Sequence, residues 1–224
     1  PTPPTILAAD NPVIVCLGGT DTIVPVADST LPVVTNVLIS EFHYDNIGTD
    51  ANEFIEIAGP AGTDLSCYTI QLYNGSNTPT AATLYDTKVL TGVIDNEGNG
   101  FGAVDFVYPV NGIQNGATDG IALIYVNSAS CPLATSVRQF ISYEGGAITA
   151  SGGLANGLTS VAIPVQEDPA PPTGQSLQFN FGTNTWTGPL NTVNQGSLPK
   201  TPVTFNYYAV NPVPGPATPF RTDS

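Results

Sequence analysis

Basic residues are scarce in this chain: four Lys and Arg stand against eighteen Asp and Glu, for a formal net charge of −14. Nucleic-acid binding draws on Lys and Arg to displace phosphate counterions, so nucleic acid is not an expected partner. Anionic membranes are disfavoured for the same reason. Divalent cations are attracted instead. Charge of either sign is thin, at 10% of residues, against 41% hydrophobic. The surface must then be built from Thr, Asn, Ser, Gly and Gln, which suits a secreted, extracellular protein. No apolar run is long enough for a membrane-spanning helix, so membrane insertion is not expected. There is no initiator Met and no signal peptide, and the opening PTPPT is linker-like; the chain reads as a processed product or an excised piece.

Histidine and tryptophan occur once each. A Ser-His-Asp triad would have to use His43, and neither a GxSxG elbow nor a helix to carry one is present. His43 reads instead as a sheet-face residue hydrogen-bonded to a carboxylate. Glycoside cleavage needs two facing carboxylates. Glu53, Glu56 and Glu144 could supply them, but nothing marks a cleft, and no enzymatic activity is expected. The three cysteines, Cys16, Cys67 and Cys131, form no CxxC pair and lie far from His43, which argues against zinc. A Cys67–Cys131 disulfide would join two strands; three buried thiols are the alternative.

Glycine and proline, by contrast, are abundant, with 23 and 21 residues. That suits an all-β chain rich in turns. Residues 38–74, LISEFHYDNIGTDANEFIEIAGPAGTDLSCYTIQLYN, read as three strands broken by DNIGTDAN and GPAGTD. Alternation of period two, bounded by Gly, Pro, Asn and Asp, marks half-buried strands. Further strands are expected at 84–90, 101–108, 121–126, 137–143, 160–165 and 176–181, with a Gly/Ala-rich loop at 145–157 and a Pro-rich loop in QEDPAPPTG (166–174). No stretch has helical period.

These motifs resemble the lamin-tail domain in its bacterial extracellular form. The matching segments are EFHYDN (41–46), GTDANEFIEI (48–57), AGPAGTDLS (58–66), LYNG (72–75), NGIQNGATDGIAL (111–123), QFISYEG (139–145), GQSLQ (174–178) and Trp186. They keep the family's order over residues 35–190 or so. After the tryptophan the family's TPG-type turn and Asn are replaced by NTVNQG (191–196). The resemblance implies an immunoglobulin-like β-sandwich that serves as an accessory module rather than a catalyst, often beside secreted nucleases. Animal members have been linked to DNA, a role for which this chain lacks the charge. Trp186 with Tyr68, Tyr73, Tyr143, Tyr207 and Tyr208 could form a sugar-stacking platform. A tryptophan sealing the sandwich core is the reading we favour.

The expected organisation is a linker and N-terminal strand arm at 1–34, the sandwich at 35–196, and a C-terminal strand with a Pro-rich tail at 197–224. The arm offers extended runs at 13–17 and 22–26, and the tail one at 203–210. Such lone strands need an edge to pair with, on the sandwich, on an adjacent domain or on another copy of the chain. Within the arm, Asp21-Thr22-Ile23 and Asp28-Ser29-Thr30 resemble the Asp-Ser/Thr-apolar sites of bacterial O-glycosylation, which makes Thr22 and Ser29 candidates. Asn74-Gly75-Ser76 fits an N-glycan sequon, and equally a hairpin turn.

Two clusters have the oxygen ligands that Ca²⁺ takes. Asp95, Glu97 and Asn99 alternate before Gly100 like the first half of a calcium loop, without its closing Glu. Asp45, Asn46, Asp50, Asn52 and Glu53 crowd the first inter-strand loop. Asx-turns are the competing explanation for both. The function expected from all this is a non-catalytic structural or adhesive module of a bacterial cell-surface protein or filament. The alternative is a carbohydrate- or calcium-dependent binding module accompanying a secreted enzyme.

Overall fold

The computed structural model describes residues 14–15, 36–76, 78–98, 100–116, 118–167, 174–191, 195–197, 205–209 and 218–223. In chain order the strands are β1 (Ile14–Val15), β2 (Leu38–His43), β3 (Phe54–Pro60), β4 (Tyr68–Asn74), β5 (Ala82–Val89), β6 (Phe101–Val107) and β7 (Asp119–Tyr125). They continue with β8 (Ser136–Tyr143), β9 (Ala150–Ser151), β10 (Val161–Ala162), β11 (Ser176–Asn180), β12 (Thr185–Leu190), β13 (Phe205–Ala209) and β14 (Thr218–Asp223). The only helical elements among the described residues are single 3₁₀ turns at Leu65–Cys67 and Pro79–Ala81.

The chain divides into two compact units. The larger, Leu31–Pro199, is an all-β sandwich of a six-stranded sheet, β10-β8-β7-β4-β5-β9, and a five-stranded sheet, β12-β11-β2-β3-β6. Its core follows from strand alternation. Ile55 and Ile57 of β3 and Ile70 and Leu72 of β4 share one buried cluster with Phe42, Leu123, Ile141 and Leu177. Trp186 is 7% exposed and packs edge-on against Phe42 and Phe179, with ring centroids 5.3 and 5.7 Å apart, so it seals the core. Burying each such side chain contributes roughly 1.5–3 kcal/mol.

The central strands of the six-stranded sheet are buried on their second face as well. Tyr73, Ala122, Ile124 and Phe140 point away from the core cluster and pack against Ile148, Ala150 and Ala155 of the Gly/Ala-rich loop. That explains why β7 is buried at every position. A Cβ on Gly120 would lie 2.5 Å from Ile148 Cδ1 and 3.0 Å from the Ile141 carbonyl, so only glycine lets the loop come this close.

The second unit comprises Pro1–Thr30 and Lys200–Ser224. It holds a three-stranded sheet in which β13 is central, antiparallel to β14 and parallel to β1. The pairing to β1 involves two residues, Ile14 and Val15. The Pro-rich tail thus contains a strand that the sequence reading treats as linker. Pro219 is tolerated there because β14 is an edge strand of that sheet. The run at 22–26 and the glycosylation candidates Thr22 and Ser29 lie outside the described residues, as does Cys16.

Candidate functional site

Cys67 and Cys131 are joined by a disulfide, with Cα atoms 5.5 Å apart. It ties the 3₁₀ turn leading into β4 to the loop that follows β7. Both half-cystines belong to the main core cluster. Such bonds persist in oxidising compartments, which fits an extracellular setting. No helix among the described residues is long and apolar enough to cross a membrane.

The first polar cluster lies where β2 runs into its loop. His43 is 3% exposed. Its Nδ1 lies 2.8 Å from Glu167 Oε1, and its Nε2 lies 2.9 Å from Asn46 Nδ2. Both ring nitrogens are therefore engaged. The Tyr44 and Asp45 amides donate to Glu167 Oε2 at 3.0 and 2.8 Å, and the Glu167 amide donates to the Tyr44 hydroxyl at 2.8 Å. Burial alone would lower the His43 pKa, but the hydrogen bond and charge of Glu167 together with the contacts to Asn46 and the Ala51 backbone outweigh it, and the net shift is upward. Burial likewise pushes the Glu167 carboxyl up, against the donors around it.

The metal candidates of the same loop are held by protein donors. Asn115 Nδ2 donates to Asp45 Oδ1 and to Asp50 Oδ2, both at 3.1 Å. Asp50 Oδ1 accepts from the Asn46 amide at 2.9 Å, which closes the loop. Glu53 accepts from the Gly112 and Ile113 amides at 2.7 and 2.9 Å. Burial raises the pKa of Asp45 and of Glu53. Asn52 stands apart, in a positive-φ turn. Replacing Asn115 with alanine should leave two adjacent carboxyls without their shared donor and cost about 1–2 kcal/mol; urea unfolding of the variant beside the parent chain measures it.

In the second candidate loop Asp95 is exposed, while Glu97 Oε1 accepts from the Ala103 amide at 2.8 Å. The bend itself is made by Asn96, whose Oδ1 accepts from the Gly98 and Gly100 amides, each at 3.1 Å. Asn99 lies outside the described residues. Among the described residues no three His, Cys, Asp or Glu side chains are placed to hold one metal ion. Asn74, of the possible sequon, accepts from the Ser76 amide at 3.0 Å in a turn.

A second polar cluster contains Glu56, named above as a candidate carboxylate, and a partner that the sequence reading misses, Glu41. Glu41 and Glu56 are register partners on β2 and β3, and Asp105 of β6 is the next in the row. The two glutamates are 1% and 0% exposed. Ser176 Oγ and Gln178 Nε2 donate to Glu41 Oε1 at 2.5 and 3.2 Å. Ser40 Oγ donates to Glu56 Oε1 at 2.6 Å, the Gly196 amide to Glu56 Oε2 at 2.9 Å, and Gln195 Nε2 to Asp105 Oδ2 at 2.8 Å. The segment after β12 thus straps the carboxylate row. Burial and the neighbouring Glu41 charge carry the Glu56 pKa to about 8. Alternation does not reveal this cluster, because Ser40 sits at a register shift in β2.

Comparison with protein-family models, with curated proteins and with solved structures finds no match.

Proposed function

We propose that the chain is a non-catalytic extracellular module, structural or adhesive, from a bacterial cell-surface protein or filament. Its sandwich is immunoglobulin-like and of lamin-tail type, and its terminal strands pair with neighbouring domains or subunits. The observation that carries this reading is the separate terminal sheet, in which Ile14 and Val15, the described residues of β1, pair with β13 along its edge. A terminal strand at the edge of a small sheet is open to exchange with the same strand of another copy.

Three further observations support it. The ordered lamin-tail motifs fall on β2, β3, β4, β7, β8, β11 and β12 and on the loops between them. The disulfide suits an oxidising compartment. The one histidine is buried with both nitrogens engaged, an arrangement that braces a fold rather than moves protons for a substrate. Deleting residues 1–34 should abolish self-association in light scattering while leaving the β-rich circular dichroism of the sandwich intact. A truncated chain that still associates would refute the reading.

A further inference from the structure

One strand edge of the sandwich is left open by the described residues. β8 pairs with β7 along its length, but on its other side β10 meets it only at Ile141 and Ser142. The chain just before β10 is diverted: the Ser160 amide donates to the Ile148 carbonyl at 2.8 Å, and Thr159 bridges to Thr149. Residues 136–140 of β8 therefore have no second strand beside them among the described residues. A cavity of about 610 Å³ runs along this edge, lined among others by Arg138, Val161, Ile163, Phe179 and Trp186. Val161 is 70% exposed and Leu158 47%, so apolar surface is left in water at the rim.

We propose that this groove accepts an extended strand donated by a second copy of the chain, the apolar run VIVCL at 13–17. The proposal rests on the assembly reading above and names the acceptor. An edge with unpaired peptide groups beside an apolar slot is matched by a strand, which satisfies the amides and fills the slot with alternate side chains. Five consecutive apolar residues are the pattern of a strand buried on both faces. The described part of that run, Ile14–Val15, lies at the edge of its sheet, paired with β13 on one side among the described residues. Charge agrees as well. Arg138, one of four basic residues in a chain of net charge −14, stands at the groove. Residues 1–34 carry Asp10, Asp21 and Asp28 and no basic residue, so the arm of another copy is steered toward it.

Cys16 lies within the proposed donor run and makes the test direct, since Cys67 and Cys131 are occupied with each other. The full chain carrying Val161→Cys is oxidised mildly and run on a non-reducing gel, beside Val89→Cys, an equally exposed position (69%) outside the groove. The expected result is a ladder of linked chains, roughly tenfold stronger for Val161→Cys, because seating the run raises the local concentration of the two thiols. The ladder should vanish in a Cys16→Ser background, and mass spectrometry should find position 16 linked to position 161. Equal trapping at position 89, or a 16–161 link confined to the monomer, overturns the proposal. Assembly visible in the microscope without a 16–161 link overturns the groove while sparing the assembly reading. Absence of both sinks the two together.

Discussion

Reducing the Cys67–Cys131 bond, or removing it by Cys67→Ser with Cys131→Ser, should lower the unfolding free energy of the sandwich by about 4 kcal/mol. The bond closes a loop of 64 residues. In the chain-entropy account, cross-linking so long a loop withdraws most of its benefit from the unfolded ensemble, where the ends would otherwise wander. The native state adds to the effect, because Cys67 and Cys131 are 8% and 2% exposed and a serine hydroxyl there has to find a new donor or acceptor. For a sandwich of this size the melting temperature should fall by roughly 10 °C. Thermal unfolding with and without reductant reads the change. Coincident transitions would contradict it.

The second large effect is on pH. Raising the pH from about 4.5 to 8 should remove roughly 4 kcal/mol of stability through Glu56 alone. The sign follows from proton affinity. Burial, with the Glu41 charge beside it, lifts the Glu56 pKa from 4.5 in the unfolded chain to about 8 in the fold. The folded state therefore holds this proton more tightly than the unfolded one. Its contribution is fully present below pH 4.5 and is lost as the pH rises toward 8. The other buried groups and half-buried Glu144 point the same way: Asp119 is pushed up to about 6 by burial, and Asp45, Glu53, Glu144, Glu167 and His43 are all raised. The sandwich should thus be most stable in mild acid. Glu56→Gln keeps a carbonyl acceptor for Ser40 or Gly196 but cannot ionise, so its urea midpoint should fall less over that window than that of the parent chain, the remaining slope coming from the other raised groups. A variant with the same pH slope as the parent chain would show that Glu56 is not the source.

The strand map was legible where two-sided patterning ruled. The run from Leu38 to Asn74 resolves into β2, β3 and β4 because Ile, Phe and Tyr alternate with polar residues and the turns are spelled in Gly, Pro, Asn and Asp. It failed where a strand is short or carries Pro. β12 reads TWTGPL and β14 reads TPFRTD, and neither alternates cleanly. β10 is two residues long where a longer strand is expected, since Ser160 turns away to serve Ile148.

The candidate site was legible as a density of carboxylates and as a histidine bonded to one of them, but not in its long-range partners. Asp45, Asp50 and Glu53 stand out in the sequence, but their partners come from afar. Asn115 lies 70 residues from Asp45, and Glu167 lies 124 residues from His43 in a loop whose Pro content suggested a connector. Nothing local distinguishes Glu167 from a solvated loop acid. Only the closing of the sandwich brings it under β2, where it gathers two backbone amides and an imidazole.

The central claim is that this sandwich is a building unit whose terminal strands join it to its neighbours. Electron microscopy of the purified native material tests that most directly. Chains or filaments of regularly repeated units are the expected sight, and they should dissolve into single particles when residues 1–34 are deleted. Single, monodisperse particles from the full chain at every concentration would contradict it.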